Sequence, residues 1–392
     1  MLRIIKIIVL SLSIVTAQHI SAQQTITFIY GGLKDAQIRA KAENKPLLLW
    51  CYATWCPHCK YMKENVFNSR SVADFYNKTF ICVSQDMEKD DGPELNKELK
   101  INSYPTFIFY MPDGTFVYRI EGEYNPDTFV AEGKNAQNPK NQLPYLKQQF
   151  EKDVSNSTNC YNYLRVLKKG GMDFSSVVNN YFVTQSDKQL LSEVNWRIFS
   201  NGISDFSSRV FQFVIMHQNQ YADIASPERV HKKLNYEVKA LLSPLVEITD
   251  TINYPLKREL AAQIHSYSTD SLIFTFDLRM WELAPNWQKY TEICLLSTES
   301  FAWNNHTQLS NIAGNILKHS SDKMALQQAI RWANRSLILS QSYDNYMLCA
   351  RINQKLNNKT EAISMAQKAD NLARKFGWEG VEAQKLLQEL DH

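Results

Sequence analysis

Residues 46–60 are Pro-Leu-Leu-Leu-Trp-Cys-Tyr-Ala-Thr-Trp-Cys-Pro-His-Cys-Lys. Its first half is a continuous apolar run, which is typical of a central β-strand buried on both faces. Its second half places Cys56 and Cys59 three positions apart. Pro57 suits the first position of a helix, because the N–H that proline lacks has no intrahelical partner there. The stretch therefore predicts a buried strand, a CxxC motif and a helix in direct succession.

Strand and helix patterns alternate around this stretch, from about residue 25 to residue 145. The sequence predicts strands at 25–30, 46–52, 80–86, 106–110 and 115–120, and helices at 33–44, 57–66, 71–78, 93–99 and from 126 onward. Pro112-Asp113-Gly114 predicts the turn between the last two strands. This order predicts an α/β domain over residues 25–145, with a mixed sheet flanked by helices.

The remainder of the chain has almost no strand pattern. Polar residues 135–141 predict a linker, residues 150–300 an all-α domain and residues 305–390 helical repeats. Residues 329–333, Ala-Ile-Arg-Trp-Ala, recur as residues 362–366, Ala-Ile-Ser-Met-Ala, with a period of 33 residues. This region resembles tetratricopeptide repeats, whose period is about 34 residues. An ordinary helical bundle is the alternative.

The first 22 residues have the pattern of a secretory signal peptide. Arg3 and Lys6 precede an apolar run at residues 7–17, and Ala22 offers a small residue at a cleavage point. The run is shorter than the roughly 20 apolar residues of a membrane helix, although an uncleaved anchor is the alternative. We therefore expect a periplasmic or secreted protein without a stable membrane span after cleavage.

The formal net charge is +3, from 43 basic and 40 acidic residues. Binding to nucleic-acid phosphates depends on concentrated positive charge, which this nearly neutral chain lacks. Nucleic acid is therefore not an expected partner. The hydrophobic content of 44% is that of a globular protein.

Only Cys56 and Cys59 are closely spaced among the seven cysteines. Thiol–disulfide exchange needs a thiolate that attacks and a second thiol that resolves the mixed disulfide. The pair predicts this reaction, with Cys56 attacking, Cys59 resolving and His58 stabilising the thiolate. Half of a structural zinc site is the rival interpretation, but no second pair of ligands has metal-binding spacing. We expect neither a metal nor an organic cofactor.

Residues 55–60, Trp-Cys-Pro-His-Cys-Lys, are followed by Tyr104-Pro105-Thr106 and then by Asp113-Gly114. This combination resembles the thioredoxin superfamily over about residues 25–145. The resemblance implies a thioredoxin fold, and it implies protein thiols and disulfides, together with a redox partner protein, as partners. It also implies that Pro105 is cis against the CxxC motif and that the backbone around Tyr104 pairs with an extended substrate. The catalytic set is then Trp55, Cys56, Pro57, His58 and Cys59, and the substrate-binding set is Tyr104, Pro105 and Thr106.

The direction of electron flow stays open. The segment 45–67 is most similar to exported thioredoxin-like domains, including the C-terminal domain of the transmembrane thiol reductase. The Cys-Pro-His-Cys tetrapeptide is similar instead to that of periplasmic disulfide-forming oxidases. Thioredoxins also have a buried acid six residues before the first cysteine, which takes the proton of the resolving thiol. Trp50 stands at that position, so water, Glu64 or Asp86 must replace the acid.

Two further alternatives follow from the sequence. Cys51 and Cys82 are expected to be buried free thiols, although a secondary disulfide between them is the other interpretation. The chain as a whole is interpreted as an exported thiol–disulfide oxidoreductase. The alternative function is a helical-repeat scaffold that binds proteins and has only a weakly active thioredoxin-like domain.

Overall fold

The computed structural model describes residues 25–29 and 32–391. These residues divide into two compact units, of which the first ends at Ile203 and the second begins at Ser204. The signal-peptide prediction for residues 1–22 lies outside the described residues. Within the described ranges, no helix combines the length and the apolar character that crossing a membrane requires.

The first unit contains one sheet of five strands. The strands are β1 Phe28–Ile29, β2 Leu47–Tyr52, β3 Ile81–Asp86, β4 Thr106–Tyr110 and β5 Phe116–Glu121. Their order across the sheet is β1-β3-β2-β4-β5. β1, β3 and β2 are parallel, whereas β4 and β5 each run antiparallel to the preceding strand in that order. The predicted mixed sheet is confirmed.

Seven helical segments accompany the strands up to residue 141. They are α1 Gly32–Glu43, α2 Pro57–Tyr61, a π-helical turn at Met62–Val66, α3 Arg70–Thr79, α4 Gly92–Leu99, α5 Pro126–Gln137 and a 3₁₀ turn at Pro139–Asn141. α1 packs on the face of the sheet that contains Leu49 and Ile108. On the opposite face, Trp50 and Phe107 pack against the rings of Phe67 and Phe129. β2 is therefore buried on both faces, which is the reason for its continuous apolar sequence.

Residues 135–141, predicted as a linker, are helical for most of their length. α5 continues to Gln137, and the Asn138 side chain accepts a hydrogen bond from the Lys140 N–H at the start of the 3₁₀ turn. Gln142 donates to the Ala136 carbonyl at 2.9 Å, and Ala136 is buried. Side-chain amides thus satisfy the backbone groups where the helix ends, and the polar composition reflects this capping.

The first unit continues through five more helices: α6 Leu143–Lys152, α7 Ser157–Lys169, α8 Ser175–Val183, α9 Asp187–Leu190 and α10 Glu193–Gly202. α6 and α7 pack against β5. A Cβ atom at Gly170, at the end of α7, would lie 3.0 Å from the Arg119 carbonyl oxygen, so the close approach favours glycine. Lys169 of α7 also forms an ion pair of 2.6 Å with buried Glu132 of α5.

The second unit is entirely helical in the residues described. Its helices are α11 Arg209–Met216, α12 Gln218–Ala225, α13 Pro227–Glu247, α14 Asn253–Ala262, α15 Tyr267–Leu283, α16 Trp287–Phe301, α17 His306–His319, α18 Lys323–Leu339, α19 Tyr343–Lys355, α20 Lys359–Lys375 and α21 Val381–Asp391. The repeated Ala329 and Ala362 are both buried, in α18 and α20. Consecutive helices from α17 to α21 pack on one another, which is compatible with repeats of the tetratricopeptide type. That assignment stays a prediction.

Replacing Lys169 with methionine is expected to destabilise the first unit. Glu132 would remain buried without its cation, and we expect a loss of about 2 kcal/mol in the free energy of unfolding, less than for a fully buried pair because Lys169 is one-third exposed. Urea denaturation of the full chain measures this loss. Lys147→Met is the matched control, because Lys147 forms only an exposed pair with Glu151 and should cost less than about 0.5 kcal/mol. Equal losses in the two variants would contradict the assignment.

Candidate active site

Two loops meet at one edge of the sheet. β2 and β4 are antiparallel neighbours, and Cys51 near the end of β2 lies opposite Thr106 at the start of β4. The loop that leaves β2 and the loop that enters β4 therefore lie side by side. The first loop leads to Cys56, and the second contains Tyr104 and Pro105. The strand register thus brings the two predicted parts of the site together.

Cys56 is the N-cap residue of α2, and its Sγ accepts a hydrogen bond from the Cys59 backbone N–H at 3.3 Å. Its thiol donates to the Tyr104 carbonyl oxygen at 3.5 Å. Pro57 lies in the first turn, where no intrahelical bond is lost. The Cys59 N–H can also donate to a negatively charged sulfur, which the attack on a disulfide requires. Cys56 is only 4% exposed, at the beginning of the helix.

Cys59 lies one turn further along α2 and is buried. Burial, together with the hydrogen bond to the Cys56 side chain, raises the pKa of its thiol to about 12. At neutral pH this thiol is almost entirely protonated. Its use as a resolving thiol therefore requires a group that accepts its proton.

Two carboxylates contact the site, and the sequence reasoning missed both. His58 Nδ1 lies 2.8 Å from Glu123 Oε2, and Trp55 Nε1 donates to Glu88 Oε2 at 2.8 Å. His58 and Trp55 are both exposed. Glu123 follows β5 and Glu88 follows β3, so these pairs depend on tertiary structure. No spacing in the sequence signals them.

The Tyr104–Pro105 peptide bond is cis, as the family resemblance implied. The Tyr104 hydroxyl accepts a hydrogen bond from Asn96 at 2.7 Å, and its ring meets the edge of Trp55 with centroids 6.2 Å apart. Thr106 is fully buried and donates to the Ser103 carbonyl at 2.7 Å. Tyr104 therefore lies at the site, whereas the Thr106 side chain holds the loop through its hydrogen bond to Ser103.

A cleft of about 720 Å³ opens beside Cys59. Trp50, Glu64 and Asp86 line it together with Cys59. The Trp50 ring packs on Tyr52 and Phe67, so the position of the usual acid is filled by an aromatic cluster. Both candidate replacement acids thus reach the same cleft as the resolving thiol.

The remaining cysteines lie away from this chemistry. Cys82 pairs with Leu48 across the strands, whereas Cys51 pairs with Gln85. Because facing residues share a side of the sheet, Cys51 and Cys82 lie on opposite faces and cannot form the secondary disulfide. Among the described residues, no group of three or more His, Cys, Asp and Glu side chains is arranged to hold a metal ion.

Comparisons with known proteins match the domain that contains this site. A family model described as a thioredoxin-like domain matches residues 33–137. The thiol:disulfide interchange protein DsbD of Pseudomonas fluorescens is 30% identical over 101 residues, which are 25% of this chain and 17% of that protein. Thioredoxin-1 of Drosophila melanogaster is 37% identical over 68 residues, which are 17% of this chain and 59% of that protein.

A solved structure gives a further similarity. A proposed disulphide-isomerase from Bacteroides thetaiotaomicron is 34% identical, and the match covers 29% of this chain and 94% of that one with a TM-score of 0.28. The chain spans 17% and 59% of the lengths of the two curated relatives above. The match to the family model lies within the first unit.

Alkylation of the native protein is expected to fall on Cys56. A thiol with a pKa of about 12, such as Cys59, is ionised to only about one part in 10⁴ at pH 8. Burial likewise raises the pKa of Cys51, Cys160, Cys294 and Cys349 to about 12 and that of Cys82 well above its usual range. Mass spectrometry after iodoacetamide treatment should locate the label.

The matched variants test this assignment. Cys59→Ser should leave the labelling of Cys56 in place, and Cys56→Ser should leave the native protein almost unlabelled. All seven cysteines should react in guanidinium chloride. Rapid labelling of Cys59 in native Cys56→Ser would contradict the assignment of Cys59 as the protonated thiol.

Proposed function

Because residues 33–137 belong to the thioredoxin-like family, we propose that the chain is an exported thiol–disulfide oxidoreductase that acts on protein partners. One observation supports this most directly. Cys56 caps the start of α2 against the carbonyl of Tyr104, and Cys59 is buried one turn behind it. This arrangement offers one sulfur to a partner and keeps the second in reserve.

The proposed reaction exchanges two electrons between two dithiol–disulfide pairs. The Cys56 thiolate attacks one sulfur of a partner disulfide, and the other partner sulfur leaves as a thiolate. Cys59 then loses its proton and attacks the Cys56 sulfur, which releases the partner as a dithiol and leaves a Cys56–Cys59 disulfide. The reverse sequence oxidises a partner dithiol. A redox partner protein restores the starting state.

The residues around the two sulfurs have supporting roles in this proposal. His58, held by Glu123, places a polarisable ring beside the start of α2 and stabilises the reduced form. Trp55 and the backbone around Tyr104 and Pro105 receive an extended substrate segment by adding a strand-like pairing. Thr106 keeps that loop in place through its bond to Ser103.

The helical second unit recruits or orients the partner in this proposal. Stacked helices form long surfaces that bind extended polypeptides, and consecutive helices from α17 to α21 pack in this way. Export to the periplasm or the outside of the cell follows from the signal-peptide pattern of residues 1–22. No metal or organic cofactor takes part.

The resolving-thiol variant tests the proposed reaction. Cys59→Ser should accumulate a mixed disulfide between Cys56 and a partner protein, because the second attack is removed. Non-reducing electrophoresis followed by mass spectrometry detects this species, and Cys56→Ser is the control that should not form it. The native chain should catalyse the reduction of insulin by dithiothreitol, and Cys56→Ser should not. Equal rates for the native chain and Cys56→Ser would favour the scaffold function instead.

Replacing His58 with alanine tests the role of the ring. Loss of the imidazole should destabilise the reduced form and lower the reduction potential of the Cys56–Cys59 pair by about 30 mV. Equilibration with glutathione buffers measures the potential, and its value for the native chain decides the direction of electron flow. A value near −270 mV indicates a reductant, and one near −120 mV an oxidant. An unchanged potential in His58→Ala would remove His58 from the mechanism.

A further inference from the structure

Asp86 lies on the same face of the sheet as Trp50. In the register of β2 with β3, Trp50 lies opposite Ser84, and Tyr52 lies opposite Asp86. Residues two positions apart on a strand point to the same face, so Asp86 is the diagonal neighbour of Trp50. The carboxylate therefore lies on the neighbouring strand, diagonal to the position where thioredoxins have their buried acid.

Asp86 is buried, at 9% exposure, and its hydrogen bonding is incomplete. Oδ1 accepts the Glu88 backbone N–H at 3.1 Å. Oδ2 is buried without a hydrogen-bond donor, and the Lys89 ammonium lies 3.5 Å away as an ion pair. The ion pair offsets part of the cost of burying the carboxylate. One oxygen is thus left with the capacity to accept a proton.

Asp86 and Cys59 influence each other across the cleft that both of them line. The negative charge of Asp86 is one of the causes that raise the pKa of the Cys59 thiol, after burial and the contact with Cys56. A charged Asp86 therefore opposes a second negative charge on Cys59. Transfer of the proton from Cys59 to Asp86 relocates one charge and removes this opposition.

Glu64, the other candidate, is poorly placed for this transfer. Its side chain is 57% exposed, on the π-helical turn, and pairs with Lys60 at 3.9 Å. Solvent screens its interaction with a buried thiol. The contrast between the two acids makes Glu64 a suitable control.

We propose that Asp86 accepts the Cys59 proton when Cys59 attacks the mixed disulfide. This inference rests on the proposed function above. The new bond joins Cys59 Sγ to Cys56 Sγ, and the bond between Cys56 and the partner sulfur breaks. The partner leaves with the electron pair as a thiolate, and the proton of Cys59 moves to Asp86 Oδ2, directly or through one water in the cleft. Asp86 then passes the proton to solvent.

The other titratable groups around Asp86 leave it as the acid best suited to this role. Tyr52 faces it from β2, and burial together with the Asp86 charge raises the Tyr52 pKa, so that side chain stays neutral. The cleft is further lined by Lys60, Lys63 and Glu64 of the helix after Cys56 and by Lys89 and Asp90 after β3. Lysine side chains have no carboxylate that could take this role. Glu64 and Asp90 are exposed.

Single-turnover reaction of the reduced full chain with 5,5′-dithiobis(2-nitrobenzoic acid) separates the two attacks. Attack by Cys56 releases one thionitrobenzoate and leaves the second attached to Cys56. Attack by Cys59 releases the second. Absorbance in a stopped-flow instrument records both phases as a function of pH. The variants are Asp86→Asn, Asp86→Glu and Glu64→Gln. Asparagine keeps the oxygen that accepts the Glu88 N–H, so the loop keeps its cap.

We expect the rate of the first phase in Asp86→Asn to stay within about twofold of the native rate. The second phase should be about 10²-fold slower near pH 7. The rate of this second phase should then rise steadily with pH, because the Cys59 thiolate must form without the acceptor. Asp86→Glu should restore part of the rate, and Glu64→Gln should resemble the native chain.

An unchanged second phase in Asp86→Asn across this pH range would overturn the assignment of Asp86. Slowing confined to Glu64→Gln would overturn it as well and identify Glu64 as the acceptor. A native chain without a Cys56-dependent first phase would overturn the proposed function, and with it the role of Asp86. Thermal unfolding monitored by circular dichroism confirms that each variant is folded.

Discussion

The hydrogen-bonded register of β2 against β4 holds the end of one strand beside the start of the other. Cys51 faces Thr106, so the loops to Cys56 and from Pro105 share one edge of the sheet. A slip of one residue would turn every side chain of a strand to the other face and would place a different residue beside the CxxC motif. The contact between Cys56 and the Tyr104 carbonyl, and the substrate position proposed there, depend on this register.

β2 is buried on both faces, and this burial restricts the chemistry around it. Charged groups are costly inside such a core, and the thiols of Cys51 and Cys82 stay protonated there. In this chain the two groups assigned to the chemistry lie where strands end. Cys56 follows β2, and Asp86 closes β3. The position of Trp50, in the middle of the buried strand, is filled by an aromatic cluster, and the acid that we propose, Asp86, lies at the end of β3.

The sequence predicts the parts of the fold that local patterns encode. β4 matches its prediction at 106–110, and β2 and β3 differ by a single residue at their starts, because apolar runs and turn residues mark them. The strand predicted at 25–30 covers Phe28–Ile29 among the described residues, where it pairs with β3 alone. The contacts of His58 with Glu123 and of Trp55 with Glu88 join segments 65 and 33 residues apart. Such pairs follow from tertiary geometry and leave no local signal.

Tertiary contacts, which leave no local signal in the sequence, also explain why the first unit extends to Ile203. The composition changes near residue 135, and this change predicts that the α/β domain ends there. A buried carboxylate joins the later helices to the sheet. Glu132 on α5 pairs with Lys169 on α7 and accepts a hydrogen bond from Tyr118 of β5. Removing α7 would leave that charge uncompensated and expose the apolar surface under it. The helices from α6 to α10 are thus part of the unit that contains the CxxC motif.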